Sequence, residues 1–395
     1  MRSASRSRSR ASPTLLLHPG DSYEFNGKRL TYPDIKLVYW AGGNPFHHHQ
    51  DLNRLVRAFQ RPDTVIVHEP WWTATARHAD IVLPATTTVE RNDVGASSRD
   101  RFILAMPRSS RRSARRATTT TSSSTSPNRL GFRGPSPRAA TRWAWVRHLY
   151  DQGARRGARR NIEDAGLRQF LARRLCRVPR TARGLRAVRG IPPRSRRPQA
   201  AHAVGQDRDL FREDRAHGLR RLPGASCWLE PAEWLGGTSA ARFPLHLVSN
   251  QPSTRLHGQL DNGPGQPQQQ GRRPRALLDH PADAASRHIA DGDIVGLVQR
   301  SRPLPGRRRG DRPGASRVLQ LAAGAWFDPE QPGTAGALDK HGNPNVLTYD
   351  RGTSRLGQGP SALTPWSRSK NSPARRRPVT AFEPPRNVRR EPVEA

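Results

Sequence analysis

Ile35-Lys-Leu-Val-Tyr-Trp-Ala-Gly-Gly-Asn-Pro45, then Gln50-Asp-Leu-Asn-Arg-Leu-Val-Arg-Ala-Phe59, then Thr64-Val-Ile-Val67 is the run that decides the fold class. Its first segment is apolar, β-branched and aromatic as far as Ala41. It then turns to Gly42-Gly43-Asn44-Pro45, the pattern of a strand ending in a tight loop. In the second segment Leu52, Leu55, Val56 and Phe59 recur at helical spacing, which places them on one face of a helix. Arg61-Pro62-Asp63 breaks that helix, and Thr64 to Val67 has the composition of a buried strand. A short helix over Thr73 to His78 and a strand over Asp80 to Pro84 continue the alternation. Strands alternating with helices predict an α/β layer whose parallel strands are covered on both faces.

Outward from this run the order is not kept. Thr14 to Pro107 carries ten basic and ten acidic residues, whereas Arg108 to Ser226 carries thirty arginines against seven acids. Over all 395 residues the net charge is +36. Hydrophobic residues make up 34%, against roughly 45–50% in globular domains. Low hydrophobicity joined to high charge does not offset the entropy of ordering a chain. Residues 108–226 are therefore expected to be disordered, apart from a helical scrap over Trp143 to Asp151. Order returns as short β units. Pro244 to Val248 and Arg317 to Leu321 have strand character, and His280 to Val295 reads as helix, Asp-Gly turn and strand. These suggest a compact β-barrel over 227–362, followed by a basic, Pro-rich tail over 363–395.

Several function classes are excluded early. Cys176 and Cys227 are too few for a disulfide framework and lack metal-ligand spacing. No run approaches the ~18 apolar residues of a membrane helix. The Arg- and Ser-rich start lacks the apolar core of a secretion signal, so a cytoplasmic protein is expected. His47-His48-His49 invites a metal reading, but adjacent histidines on a short segment point in different directions. Gly42-Gly43-Asn44-Pro45 at the carboxyl end of a parallel strand lets backbone N–H groups approach a phosphate or nucleotide, although a plain tight turn has the same composition. Glu69 falls at the same edge, either as a ribose or guanine acceptor or as a solvated loop acid. The arginine runs predict nonspecific polyanion binding, but aromatic stacking residues are scarce among them.

Tyr39-Trp-Ala-Gly-Gly-Asn-Pro-Phe-His-His-His-Gln-Asp51, His68-Glu-Pro-Trp-Trp-Thr-Ala-Thr-Ala-Arg-His-Ala-Asp-Ile-Val-Leu-Pro84 and Glu90-Arg-Asn-Asp93 form a first group of motifs. Ser249-Asn-Gln-Pro-Ser-Thr-Arg-Leu-His-Gly-Gln-Leu-Asp261, the His280 to Val295 stretch, His341-Gly-Asn-Pro-Asn-Val-Leu-Thr348 and Gly352-Thr-Ser-Arg-Leu-Gly-Gln-Gly359 form a second. In wording and order they resemble the dimethyl sulfoxide, trimethylamine N-oxide and biotin sulfoxide reductases, nearest the biotin sulfoxide branch. The resemblance covers about half the chain. It implies a parallel-sheet dinucleotide-binding domain over 14–107 and a C-terminal β-barrel, together gripping a bis(molybdopterin guanine dinucleotide) molybdenum cofactor. By that likeness Gly43, Asn44 and His48 lie near one dinucleotide, and Glu69, Thr73 and Asp80 on its guanosine side. Arg255, His257, Gln259, Asn345 and Gln358 would contact the pterin or phosphates from the barrel. The implied chemistry is oxygen-atom removal from a small S-oxide or N-oxide. In this family the protein ligand to molybdenum comes from the N-terminal half, to which nothing here corresponds. No catalytic residue or metal ligand is therefore assigned, and the chain is expected to be inactive alone. The competing class is a nonenzymatic, Arg-rich polyanion-binding protein.

The family pattern breaks near residues 107, 152, 227, 264, 300 and 362, and only four of the 68 cationic residues are lysines. Shifted reading of GC-rich DNA yields Arg, Pro, Ala, Gly and Ser, so the breaks are read as out-of-frame translation, with genuine disordered insertions as the alternative. On the first reading the polypeptide should fold poorly, with the sheet short of its covering segments and the barrel cut by cationic stretches.

Overall fold

The computed structural model describes residues 11–25, 28–96, 102–111, 147–148, 150–151, 167–177, 230–231, 233–263, 274–299, 302–309, 315–352, 366–371 and 377–385. The chain divides into two units. One comprises residues 1–82, 219–222 and 227–395; the other comprises 83–218 and 223–226.

The first unit opens with helix α1 (Ala11–Leu17) and an antiparallel hairpin, β1 (Ser22–Phe25) with β2 (Lys28–Thr31). Then come β3 (Leu37–Ala41), α2 (Pro45–His48), α3 (Leu52–Phe59), β4 (Thr64–Glu69), α4 (Ala74–Arg77) and β5 (Ile81–Pro84). Apart from α2, which forms between the expected loop and the expected helix, these are the elements the sequence predicts, in the predicted order. β3, β4 and β5 form one sheet in that order, with β3 and β4 parallel and Tyr39 opposite Ile66. Asp51 starts α3 by accepting from Arg54 N at 3.1 Å, and Leu52, Leu55, Val56 and Phe59 are buried.

Among the described residues, cover is seen on one face of the sheet: Val65 and Val67 are buried, with Val38 and Trp40 packed on the same core. On the other face Leu37 is 55% exposed, Tyr39 44% and Ile81 45%. The described helices between the strands pack on that side.

The second unit contains β6 (Asp93–Ala96), β7 (Phe102–Met106), α5 (Leu167–Arg173) and β8 (Leu175–Arg177), with β6, β7 and β8 an antiparallel sheet. α5 and β8 fall inside the stretch expected to lack order. Ile103 pairs with Cys176, and Phe170 is buried with its ring stacked 5.2 Å from Tyr150. The expected helical scrap is helical at 147–148 and 150–151. The remaining residues of 108–226 for which disorder is expected lie outside the described residues.

The first unit resumes with β9 (Leu245–Val248), β10 (Ala276–Leu278), α6 (Pro281–Ala285), β11 (Ile294–Gln299), β12 (Arg302–Arg308), β13 (Val318–Leu321) and β14 (Trp366–Asn371). Hydrogen bonding runs β10-β12-β11-β14-β9-β13 and returns to β10, which closes the barrel. Two of these strands correct the sequence reading. β12 occupies the cationic break near residue 300, yet it pairs along its length with β11 and seats a fully buried Leu304 opposite Leu297. Arg308, at its end, is held by Asp279 at 3.0 Å. β14 lies beyond residue 362, in what reads as a tail, and just after it Val379 and Ala381 are buried beside Trp326. A ladder is made of main-chain bonds, so a strand can form where side-chain pattern gives no sign of one.

A single hydrophobic core joins the sheet segment to the barrel. It runs from Leu16, Phe46, Leu52 and Val65 to Leu245, Leu277, Leu297 and Phe327.

Candidate functional site

β3 delivers the chain to Gly42 and Gly43, whose φ values are +83° and +72°. A residue with a Cβ costs roughly 1–2 kcal/mol in that left-handed conformation. Crowding is not the reason for glycine here. A Cβ on Gly42 would meet nothing within 4 Å, and one on Gly43 would come no nearer than 3.8 Å to His48. The two glycines leave bare, exposed main chain at the carboxyl edge of the sheet, where open α/β folds bind ligands. Trp40 Nε1 donates to Gly43 O at 3.2 Å and steadies the loop. The Thr75 hydroxyl donates to Asn44 Oδ1 and ties the loop to α4.

β4 ends at the same edge in Glu69. Thr73 Oγ1 donates to Glu69 Oε2 at 3.2 Å, and Thr73 also caps α4 by accepting from Ala76 N. Desolvation raises the Glu69 carboxyl to a pKa of about 7, offset only in part by the Thr73 hydroxyl and the Trp71 backbone. At neutral pH this group is divided between acid and carboxylate. Trp71 and Trp72, which follow it, are exposed.

The barrel contributes the turn from Arg255 to Asp261. Its ends are buried and paired, with Arg255 Nη1 3.3 Å from Asp261 Oδ1. Arg275 also binds Asp261, so two guanidinium groups share one carboxylate. Arg255 donates through Nε and Nη2 to Ala323 O at 3.1 and 2.6 Å. Trp326 binds the turn twice, its backbone N to Asp261 Oδ2 at 3.1 Å and Nε1 to Gly258 O at 2.7 Å. His257 and Leu260 sit at φ +52° and +65°, strained values for non-glycine residues, which persist where surrounding bonds over-determine the backbone. The outcome is a fixed turn with exposed Leu256, His257, Gln259 and Leu260.

Two asparagines join the barrel to α2. Asn343 Nδ2 donates to Phe46 O at 3.2 Å and Ala325 O at 2.9 Å, and Asn345 Nδ2 donates to His47 O at 2.9 Å. The buried Asp339 holds this loop, accepting from Gly342 N at 3.0 Å and Asn343 N at 2.6 Å. His47 is wedged behind: a Cβ on Gly258 would fall 2.5 Å from its ring, and the ring meets Trp326 edge-on at 5.7 Å. Burial, then repulsion from His48, Arg255 and His257, lowers the His47 pKa to about 3. His48 is exposed by surface area, yet its ring is crowded enough that desolvation, then His257, lowers its pKa. These couplings put the histidines of α2 beside the barrel turn.

Gly43, Asn44 and His48 therefore share one edge with Glu69 and Thr73, and His257 approaches from the barrel. Gln259 is on the same exposed turn. Asn345 lies there too, but its amide is donated to His47 O. Arg255 faces inward, with its donors engaged by Asp261 and Ala323. Asp80 is not brought to Glu69 and Thr73: its Oδ2 accepts from Val65 N at 2.8 Å, at the opposite end of β4. Gln358 lies outside the described residues. The sequence reading missed His47, Asp261, Arg275, Trp326 and Asn343, which hold the site together, and His341, whose Nδ1 lies 3.0 Å from Trp326 O. Asn343, preceding a proline as Asn44 does, is the one with a local signal.

Two family models match the chain: Molybdopterin oxidoreductase over residues 11–114 and Molydopterin dinucleotide binding domain over residues 245–365. The biotin sulfoxide reductase of Cereibacter sphaeroides is 39% identical over 360 residues, covering 89% of this chain and 46% of that protein. The dimethyl sulfoxide/trimethylamine N-oxide reductase of the same organism is 36% identical over 383 residues, covering 95% and 46%. The trimethylamine-N-oxide reductase of Haemophilus influenzae is 34% identical over 398 residues, again covering 95% and 46%. The chain thus spans about half the length of the curated relatives it matches. In fold it is similar to acetylene hydratase from Pelobacter acetylenicus, with a TM-score of 0.60 at 15% identity over 86% of this chain and 45% of that one. With both domain matches placed on the sheet edge and the barrel, the chain carries a region similar to the molybdopterin oxidoreductase family and a second similar to the molydopterin dinucleotide binding domain.

Proposed function

We propose that this chain is the dinucleotide-holding half of an S-oxide or N-oxide reductase, biotin sulfoxide reductase-like, built around a bis(molybdopterin guanine dinucleotide) molybdenum cofactor. The observation that carries the reading is the joining of sheet edge to barrel turn. Asn343 and Asn345 bond the backbone of α2, and Gly258 of the barrel turn sits against the His47 ring. The residues present fit such a group. The glycine loop offers unobstructed main chain, the turn offers exposed His257 and Gln259, and Glu69 offers a desolvated acceptor.

When bound, the cofactor supplies two-electron oxygen-atom transfer from a small S- or N-oxide. This chain's residues would hold and orient it. Main-chain N–H groups of Gly42 and Gly43 would be available to its phosphates. Glu69, set by Thr73, would accept from a ribose hydroxyl or a guanine N–H. His48, His257 and Gln259 would donate to phosphate or pterin oxygens. Arg255 and Asn345 fix the backbone that presents them, and Asp80 fixes the far end of β4. No residue of this chain is assigned to the metal.

Binding of GDP and ADP to the full chain, followed by calorimetry at high salt to screen the +36 charge, tests the reading. GDP should bind roughly tenfold more tightly than ADP, and Glu69→Gln should cost roughly the same factor, about 1.4 kcal/mol. Affinity should rise as pH passes upward through about 7, where Glu69 becomes a carboxylate, and that rise should vanish in Glu69→Gln. Equal affinity for both nucleotides, indifference to Glu69→Gln and steep loss with salt would favour the polyanion reading instead.

A further inference from the structure

Residues 377–385 lie beyond both matched regions, which extend to residue 365 at most, and they read in sequence as part of a basic, Pro-rich tail. They are nonetheless built into the first unit by side chains from several places. Arg77, at the end of α4, donates through Nη2 to Thr380 O and Ala381 O, both at 3.0 Å, and to Glu383 O. Those carbonyls converge because the chain turns there, with Glu383 N donating to Thr380 O at 3.1 Å. Asp328 accepts twice from Thr380, from its N at 2.7 Å and its hydroxyl at 3.0 Å, and Lys340 Nζ donates to the same hydroxyl at 2.6 Å. Val379 and Ala381 are buried against Trp326, and the Phe382 ring meets Trp326 and the buried His341 edge-on at 5.2 and 5.3 Å. Pro378 and the Pro384-Pro385 pair flank the segment and reduce the entropy lost in fixing it.

A guanidinium that gathers three main-chain carbonyls recognises the path of a backbone rather than any one side chain. That path supports both joints of the candidate site. Trp326, padded by Phe382, donates to Asp261 and to Gly258 O across the Arg255–Asp261 turn. Asp328, which anchors Thr380, donates from its backbone N to the Asp339 carboxylate at 2.7 Å. Asp339 in turn holds the loop whose Asn343 is bonded to Phe46 O of α2. On the sheet side, Arg77 N donates to Thr73 O at 3.0 Å, and Thr73 is the partner of Glu69. From these contacts we infer that residues 379–382 are a positioning strap for the dinucleotide site: Arg77 holds the strap, and Phe382 and Thr380 bear on the barrel turn and the Asn343 loop. The inference rests on the proposed function for what the turn holds, but not for the strap itself. Packed contacts of this kind carry coupling only if a change at one end alters the other.

Hydrogen exchange of the full chain without ligand tests the strap. Phe382→Ala should speed exchange at residues 255–261 at least tenfold while leaving residues 294–299 of β11 unchanged. Phe382→Tyr, which keeps the ring edge, should restore the wild-type rate. Phe382→Leu, which keeps apolar volume, should give a smaller increase, and it serves where the alanine variant does not fold. Arg77→Gln should speed the same residues, and its combination with Phe382→Ala should be no faster than the faster single variant, because both act through one strap. Unchanged exchange at residues 255–261, an equal rise throughout the barrel, or fully additive effects of Arg77→Gln and Phe382→Ala would each overturn the inference. GDP affinity, read on the same samples at high salt, should fall at least fivefold in Phe382→Ala and recover in Phe382→Tyr. GDP binding indifferent to Phe382→Ala would also overturn it, since the strap would then position nothing the nucleotide needs. Wild-type protein that binds no GDP overturns the nucleotide reading instead, and the exchange rates alone then decide for or against the strap.

Discussion

Gly43 and Gly324 both have positive φ, at +72° and +88°, yet they answer to different forces. A Cβ on Gly43 has room, so Gly43→Ala should lose only the left-handed penalty, roughly 1 kcal/mol. A Cβ on Gly324 would lie 1.7 Å from His257 O and 2.5 Å from its carbonyl carbon, and backbone cannot step aside. Gly324→Ala should therefore add about 1–3 kcal/mol of overpacking to the same penalty, and should displace the His257 turn. Urea unfolding of both variants decides the point; equal losses would show that the turn does not press on Gly324. Gly43 was legible in the sequence because it follows a strand and precedes Asn-Pro. Gly324, within Ala322-Ala-Gly-Ala-Trp326, was not, because its constraint comes from a turn distant in the chain. Asp80 shows the same limit. Its position in the motif was clear, but not that its carboxylate is bonded to Val65 N.

At the scale of elements, the Arg255–Asp261 turn is fixed from below by charge. Asp261→Asn would leave two buried guanidinium groups without their shared carboxylate, which costs about 3–5 kcal/mol in comparable buried pairs. Because Trp326 binds both Asp261 and Gly258, its fluorescence should shift as the turn loosens, and nucleotide affinity should fall with it. A variant of wild-type stability and spectrum would remove the clamp from the account. Motif wording identified this turn but could not tell which residues face inward, since Ala323, Arg275 and Trp326 settle that. β12 was illegible for a different reason. Arg302-Pro-Leu-Pro-Gly-Arg-Arg308 has the composition of a break, and only its pairing with β11 and the burial of Leu304 make it a strand.

For the whole molecule, the joined core makes acid stability a shared property of sheet segment and barrel. His47 and His49 are lowered to about 3 and about 4, and His341 well below the usual 6.5, in each case first by burial. A lowered histidine stabilises the fold above 6.5 and loses that contribution as pH falls toward its folded value, by up to about 1.4 kcal/mol per pH unit. Glu69 and Asp339, raised to about 7 and about 6, act in the opposite sense between their ordinary and folded values and offset part of the loss. Stability should still fall on acidification from 6.5, and His47→Gln should flatten that slope; an unchanged slope would contradict the burial of His47. The two family models match 11–114 and 245–365 and leave the arginine-rich stretch between them unmatched, although alignment with the Cereibacter sphaeroides dimethyl sulfoxide/trimethylamine N-oxide reductase runs over 95% of the chain. We propose that the breaks in family pattern are out-of-frame segments, so translating the gene around residues 107, 152, 227 and 264 in its other frames should restore the pattern.

The central claim is that sheet edge and barrel turn hold one guanine dinucleotide. Hydrogen exchange of the full chain with and without molybdopterin guanine dinucleotide tests it most directly. The account predicts slowed exchange at both residues 42–48 and residues 255–261, in the same titration and with the same midpoint. Slowing at one segment alone, or only within the arginine runs, would contradict it.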